Sequence, residues 1–235
     1  MPSWPVHFAV AKEVNKIFNF DEDLFYYGNI LPDVGNDFGI NRDDAHYYGI
    51  PFNFCPKEEQ IDLKRFLNDY RESLDNPLIL GYYSHLLTDN YYNENIYIKC
   101  WILDKNNNII GIKLKNGKIM NIPINDLKKE KRKYKHHDLE LFGKYIFDKK
   151  IIPKDKEKIC SNIKFIKKGY LTKEIVEDRF KEFNGSYIKN SKLPLIDKIF
   201  KYRYYLFTKE ELDNMFNDCC KLVIKEIKEI KNIDL

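Results

Sequence analysis

Apolar residues at helical spacing constrain the fold of this 235-residue chain more than any other sequence feature. They recur every three or four positions, as on the buried face of an amphipathic helix. The segments with this pattern are residues 5–18, 57–75, 138–150, 171–183 and 207–231, together with a stretch of about 17 residues that follows Asn76-Pro77. We therefore expect a mainly α-helical fold built from several helices.

Residues 96–123 break the helical pattern. β-branched residues alternate there around two turn signals, Lys105–Asn108 and Asn116-Gly117. This predicts two or three short strands, a small β-hairpin insertion at the mouth of any pocket beside the preceding helix. In residues 25–37, FYYGNILPDVGND, the glycines, proline, asparagines and aspartates favour a structured loop.

Length and composition predict one domain spanning residues 1–235. Hydrophobic residues make up 43% of the chain and aromatic residues 15%, which is enough apolar surface to offset the loss of chain entropy on folding. Within this domain we expect the β insertion at 96–123 and a helical C-terminal extension at 150–235.

Charge and cysteine content exclude several classes of protein. Forty basic and 36 acidic residues give a formal net charge of +4, with lysine and glutamate interleaved, so we expect no stable nucleic-acid partner. Five cysteines without CxxC spacing predict reduced thiols. The N-terminus lacks the pattern of a secretory signal and no apolar run reaches 18 residues, so we expect a cytoplasmic protein without a transmembrane segment.

Two histidines precede an acidic residue by four positions, His85 before Asp89 and His136 before Glu140. On a helix this spacing places both side chains on one face within about 6 Å. Gly81, one turn before His85, would leave room for a ligand, and a cation would relieve the cost of burying the carboxylate. The alternative is an ordinary hydrogen bond on a helix surface.

His7, Asp33 and His46 each have a structural interpretation when taken singly: a core histidine, a turn cap and a surface loop residue. Along the chain, however, these residues stand in a fixed order: an early histidine, GNILPD, a loop histidine, GYYSHLLTD and a late histidine. This order resembles the zinc-dependent phospholipase C family. The superfamily also contains the single-strand-specific zinc nucleases. The resemblance covers residues 3–148, and its most specific parts are the Pro-Asp of ILPD and the HxxxD of SHLLTD.

The resemblance implies a phospholipase C-like helical domain with up to three zinc ions. The ligands that it implies for the first ion are Asp33, His46, His85 and Asp89. Asp89 would bridge to a second ion, which His7 would also bind.

The late pair His136 and Glu140 would hold the third ion, with His137 and Asp138 as rival ligands. Two features depart from the family. Its secreted lipases bind zinc through the amino group of a mature N-terminal tryptophan, whereas Trp4 lies inside this chain. A family histidine is also absent, because the region after the HxxxD pair reads NYYNEN here.

The resemblance implies hydrolysis of a phosphodiester or phosphomonoester, such as a phospholipid head group or another small phosphoester, by metal-activated water. Asp33 would be both a ligand and the carboxylate that orients or deprotonates the water, because a loop position leaves one oxygen free. Tyr82, Tyr92 and Asn93, on the same helix stripe as His85, would contact the substrate.

Two alternatives remain open. One is a binding or scaffold protein that retains a single structural metal site without catalysis. The other takes His137-Asp138 as the dyad of an HD-type phosphohydrolase, although no well-placed downstream aspartate is obvious.

Overall fold

The computed structural model describes residues 2–53, 55–123, 126–148, 151–183 and 204–232. Most of these residues are helical, in agreement with the mainly α-helical fold expected from the sequence. The helices, in chain order, are α1 Trp4–Phe18, α2 Glu22–Gly28, α3 Leu31–Val34, α4 Arg42–Ala45, α5 Leu63–Asp69, α6 Pro77–Cys100, α7 Leu127–Ile146, α8 Lys156–Asn162, α9 Lys173–Glu182 and α10 Lys209–Ile230.

The strands of the described residues form small antiparallel sheets. They are β1 Tyr48–Phe52, β2 Cys55–Ile61, β3 Trp101–Leu103, β4 Ile109–Lys113 and β5 Ile119–Asn121. Strands β1 and β2 pair as a hairpin, while the other three form a sheet in the order β3-β4-β5. The three-stranded sheet occupies the segment where the sequence predicted short strands.

The β1–β2 hairpin contradicts the helix expected from residue 57. The letters CPKEEQI of β2 lack the apolar alternation of a typical strand, so only pairing with β1, for example Tyr48 opposite Ile61, makes this segment extended. Asp62 then accepts a hydrogen bond from the Arg65 backbone N–H and caps α5. The helical part of residues 57–75 is therefore short. Residues 25–37, expected as a loop, include the end of α2 and all of α3.

Helix α6 is the central element of the domain. Asn76 caps it by accepting a hydrogen bond from the Leu78 backbone N–H, and Pro77 occupies the first position, where its missing N–H costs nothing. Helices α1, α2 and α10 pack against it. It runs for 24 residues and includes the start of the expected β insertion. Burial of Ile96 stabilises the helix in spite of the β-branched residues near its end.

Helices α2 and α6 touch through two glycines. A Cβ atom on Gly81 would lie 2.2 Å from the Phe25 carbonyl oxygen and 2.9 Å from the Gly28 Cα atom. The two backbones therefore meet where neither residue has a side chain. The expectation that Gly81 leaves room for a ligand is wrong, because α2 fills that room. The same close approach brings Asn29, which follows α2, against His85.

The C-terminal helix α10 belongs to the core. It packs on α1 and α6 through a buried stripe that includes Leu212, Cys219 and Val223. A capping box between Thr208 and Glu211 stabilises its first turn. Of the expected extension at 150–235, residues 150, 184–203 and 233–235 lie outside the described residues.

Within the described ranges, no helix is both long enough and apolar enough to cross a bilayer. Cys100, Cys219 and Cys220 are buried free thiols, and Cys160 is a partly buried one.

Candidate metal centre

Four side chains from three parts of the chain converge beside α6. Asp33 lies in α3, His46 directly follows α4, and His85 and Asp89 stand one turn apart on α6. The two histidines and Asp89 are fully buried, while the Asp33 side chain keeps 14% of its surface exposed. These are the four residues that the resemblance implied for a first metal ion.

Backbone carbonyl groups determine the tautomers of both histidines. The Nδ1 atom of His85 lies 2.7 Å from the carbonyl oxygen of Asn29, and the Nδ1 atom of His46 lies 2.8 Å from that of Arg42. Because a carbonyl oxygen only accepts, Nδ1 donates in each ring and the neutral ring carries its lone pair on Nε2. Metal-binding histidines are oriented in this way by a partner of their second nitrogen.

The two Nε2 atoms face each other and two carboxylates. His46 Nε2 lies 3.3 Å from His85 Nε2, 3.2 Å from Asp33 Oδ1 and 3.6 Å from Asp89 Oδ2. His85 Nε2 lies 3.4 Å from Asp89 Oδ2. Around a tetrahedral zinc ion with bonds of about 2.0–2.1 Å, ligand atoms are about 3.3–3.4 Å apart. These four pairs of donor atoms therefore stand close to the spacing that a cation of this size requires.

Electrostatics also favours a cation in the cluster. Burial raises the pKa of Asp89, but the imidazoles of His85 and His7 outweigh burial and hold this pKa well below its usual range. Burial also raises the pKa of Asp33, but the rings of His46 and His85 have the larger, opposite effect and lower this pKa below its usual value. Both carboxylates are therefore ionised at neutral pH, and buried negative charges need a compensating positive charge.

The two imidazoles of the cluster are affected in opposite directions. Burial lowers the pKa of His46, although Asp33 opposes this effect. Burial also acts to lower the pKa of His85, but the charge of Asp89 outweighs it and raises this pKa above the usual value. A proton on His85 would therefore compete with a metal ion for the same nitrogen.

His7 forms a second group with His85 and Asp89. Its Nε2 atom lies 3.3 Å from Asp89 Oδ1, whereas Asp89 Oδ2 faces His46 and His85. Neither ring nitrogen of His7 and neither oxygen of Asp89 makes a hydrogen bond to any described residue, although all four atoms are buried. Buried polar atoms are nearly always paired, so this set fits a bound cation.

The protonation state of His7 agrees with a role as ligand. Burial and the neighbouring His85 ring lower the pKa of His7 from 6.5 to about 4. The ring is therefore neutral near pH 7, and an imidazole nitrogen with a lone pair is available to a metal ion.

Trp4 holds Asp33 from the side opposite His46. The indole Nε1 donates a hydrogen bond to Asp33 Oδ2 across 3.2 Å, while Oδ1 faces His46. The indole of Trp4 thus orients the Asp33 carboxylate. Asp33 lies in a short helix and not in a loop, and the oxygen that was expected to be free already accepts a hydrogen bond.

Asp138 does not belong to the centre. Its buried carboxylate accepts hydrogen bonds from the backbone N–H groups of residues 205–207 at 2.7–3.3 Å, and it lies 3.1 Å from His137 Nδ1. It secures the segment that leads into α10. This arrangement explains the burial of Asp138 without a metal and gives the His137-Asp138 pair a structural role.

His136 and Glu140 lie in front of the centre, on the wall of a cavity that Asp33 also lines. Both are exposed, and Glu140 pairs with Lys144 at 3.0 Å. The groups of three or more potential metal ligands found among the described residues include neither of them. The structure therefore does not bring this late pair together with the buried donors.

The cavity beside Asp33 has a volume of about 760 Å³. Its lining residues come from α1, the α3–α4 region, the β1–β2 hairpin, α6 and α7, and include Trp4, Arg42, Tyr48, Lys57, Asn93 and Lys135. No described residue of the 96–123 insertion lines it. The insertion reaches the cavity only indirectly, since Asn108 accepts a hydrogen bond from Lys57.

Of the three α6 residues expected to contact substrate, Asn93 alone lines the cavity. Tyr82 is fully buried, its hydroxyl donates to the Ala45 carbonyl oxygen, and its ring packs on Phe66. Tyr92 is also fully buried and packs on Tyr91. Both tyrosines are core residues, so the expectation of a substrate contact is wrong for them.

The sequence patterns gave no role to Arg42 or Lys135, which line the cavity together with Tyr48. Arg42 precedes His46 by four positions and Tyr48 follows it by two. Their proximity to His46 in the sequence was the signal for these two residues. It predicted no shared cavity, because neither α4 nor β1 was expected.

Comparisons with protein-family models, curated proteins and solved structures found no match to this chain.

Proposed function

We propose that this protein is a metal-dependent phosphoesterase, with zinc as the metal. Its substrate would be a phosphodiester or phosphomonoester, such as a phospholipid head group or another small phosphoester. One observation carries the proposal: beside a cavity, the lone pair of His46 lies 3.2–3.6 Å from the lone pair of His85 and from the ionised carboxylates of Asp33 and Asp89. The sequence resemblance to the zinc-dependent phospholipase C family supports the same conclusion.

The donors divide between two ions that share Asp89. The ligands proposed for the first ion are Asp33, His46, His85 and Asp89, and those for the second are His7 and Asp89. Bound divalent ions lower the pKa of coordinated water and neutralise phosphate oxygens. A third ion would need His136 or Glu140, which lie apart on the cavity wall.

Asp33 is the ligand that meets the cavity, and we assign it the task of orienting the attacking water. Its pKa is held low by His46 and His85, so it is a hydrogen-bond acceptor and a poor store for a proton. The hydrogen bond from Trp4 to Oδ2 keeps the carboxylate in one orientation. These contacts favour orientation of water over its deprotonation.

The dimensions of the cavity favour a small substrate. Sites for small molecules usually have volumes of roughly 300–1,000 Å³, and the cavity of about 760 Å³ lies in this range. A small phosphoester or a single lipid head group fits such a space.

A second candidate function is a binding or scaffold protein with one structural zinc. The observation that favours it is that three protein donors, from Asp33, His85 and Asp89, lie within 3.6 Å of the fourth, His46 Nε2. Structural zinc sites have four protein ligands, whereas catalytic sites have three and an open position. The number of ions distinguishes the two functions, because a second ion bound by His7 and Asp89 would have only two protein ligands and would keep positions open for water.

The test combines metal content with hydrolysis. Metal-free protein is loaded with zinc, the bound zinc is counted, and turnover of p-nitrophenyl phosphate and bis-p-nitrophenyl phosphate is measured. We expect two or more ions per chain and hydrolysis of at least one ester. Asp33→Asn, compared with the wild type at equal bound zinc, should have lower turnover, while His137→Gln, outside the centre, should leave turnover unchanged.

One zinc ion per chain with no hydrolysis of either ester would instead support the scaffold function. Full turnover by Asp33→Asn at unchanged zinc content would remove Asp33 from the mechanism while leaving the metal centre in place.

A further inference from the structure

Arg42 is the cationic side chain nearest to the buried donors among the described cavity residues. Its Nη2 atom lies 3.4 Å from His46 Nε2 and 3.9 Å from Asp33 Oδ1. The side chain is 39% exposed and lines the cavity. The guanidinium group therefore touches the metal donors on one side and the cavity on the other.

A metal ion on His46 would bring two positive charges close together. With a zinc–nitrogen bond of about 2.1 Å, Arg42 Nη2 could be no more than about 5.5 Å from the ion. Like charges at this separation repel each other unless an anion lies between them. Asp33 supplies one negative charge at this position, and an anion entering from the cavity would supply more.

A chain of hydrogen bonds connects Arg42 to a second cation. The Tyr48 hydroxyl is hydrogen-bonded to Arg42 and lies 3.4 Å from Asn93 Nδ2, and Lys135 Nζ donates to Asn93 Oδ1. All four side chains line the cavity.

The direction of each hydrogen bond in this chain follows from its ends. A lysine ammonium group only donates, so Asn93 must present Oδ1 to Lys135 and Nδ2 to Tyr48. An arginine also only donates, so the Tyr48 oxygen accepts from Arg42 and from Asn93. The Tyr48 hydroxyl can then donate its own proton to a third partner.

The cavity wall also carries carboxylates. Asp43 and Glu59 are exposed, Glu58 is half-buried, and Glu140 is paired with Lys144. These charges repel an anion, whereas Arg42, which adjoins Asp33 and His46, attracts one.

We propose that Arg42, Tyr48, Asn93 and Lys135 form an oxyanion subsite that binds the phosphoryl oxygens of the substrate beside the metal centre. Arg42 touches the phosphoryl group, and its planar fork can bind two oxygens at once. Tyr48 and Asn93 position Arg42 and connect it to Lys135. This inference rests on the proposed phosphoesterase function and names the group that the site recognises.

The test measures binding of inorganic phosphate to the zinc-loaded protein by calorimetry. Arg42→Ala should weaken phosphate binding by about tenfold or more, since charge-assisted hydrogen bonds are lost, at unchanged zinc content. Arg71→Ala, which removes an exposed arginine from a surface turn, should change nothing. In the active enzyme Arg42→Ala should lower turnover, and added guanidinium ion should restore part of it.

Phosphate binding by Arg42→Ala within about twofold of the wild type would overturn the subsite, since a contacting guanidinium contributes more than that. If Arg42→Ala does not fold, Arg42→Gln replaces it under the same criterion. If the wild type hydrolyses the esters and Arg42→Ala changes neither phosphate binding nor turnover, the subsite is rejected and the phosphoesterase function remains. Arg42-dependent phosphate binding without any hydrolysis would reject the phosphoesterase and leave the subsite.

Discussion

The imidazole rings of His7 and His85 lie parallel, with their centroids 3.8 Å apart and an angle of 5° between their planes. The lone pair of a ring nitrogen lies in the ring plane, so two stacked rings cannot both direct theirs at one ion. Each ring faces its own oxygen of Asp89, Oδ1 for His7 and Oδ2 for His85. The stack thus favours two ions bridged by Asp89, as in two-metal sites with ions about 3.5–4 Å apart.

His7→Phe should lower the zinc content by one ion per chain. Phenylalanine keeps the stack on His85 but has no nitrogen ligand, so the fold and the first ion should be retained. The measurement is elemental analysis after dialysis against dilute zinc, with His137→Phe as the control. A zinc content equal to that of the wild type would show that His7 is not a ligand.

His85→Ala should abolish tight binding at the first position. Loss of a residue that merely orients a ligand lowers metal affinity about 10- to 100-fold, so loss of a ligand should exceed that range. Zinc should raise the melting temperature of the wild type by more than that of the variant, because a ligand bound to the folded state stabilises it. Equal zinc-induced stabilisation of the two proteins would contradict the centre.

Trp4→Phe should weaken zinc binding by about tenfold, the lower end of the effect of losing an orienting partner. The substitution keeps an aromatic ring but removes the N–H that donates to Asp33 Oδ2. Trp101→Phe, in strand β3, is the matched control and should bind zinc as the wild type does. The measurement is competition with a chelator of known affinity, and equal affinities of the two variants would argue against the orienting role.

The contribution of His7 to the stability of the metal-free protein should fall as the pH falls from about 6.5 to about 4. His7 has a pKa of about 4 when folded, against 6.5 as its ordinary value. In this window the unfolded chain binds a proton on His7 that the folded chain does not, so acid favours unfolding. His7→Phe should lose less stability than the wild type between about pH 7 and pH 5 in denaturant titrations. Identical losses would contradict the low pKa.

Asp138→Ala should lower the free energy of unfolding by about 2 kcal/mol or more, since a charged acceptor of buried backbone N–H groups is lost. Zinc affinity should stay unchanged, because the carboxylate binds residues 205–207 and not the metal donors. Thermal melts and zinc titrations of the same preparations check both outcomes. Loss of zinc without loss of stability would restore Asp138 as a ligand.

The sequence by itself determined what depends on neighbouring residues. Periodic apolar positions predicted the long helices, because the face that a helix buries repeats every three to four residues. The four-residue spacing of His85 and Asp89 placed both side chains on one face of α6, since helical geometry needs no other information. The β-branched residues around two turns predicted the small sheet after α6.

Only the tertiary structure decided which distant residues meet. Asp33 and His46 meet His85 of α6 from remote parts of the chain. Gly28 and Gly81 let α2 pack closely on α6, and neither glycine signals a partner in the sequence. Asp138 has the carboxylate group of a potential metal ligand, but this group accepts hydrogen bonds from the backbone of residues 205–207 instead. The physical reason is that local patterns determine local conformation, whereas burial and hydrogen bonding between remote segments choose the neighbours of each polar group.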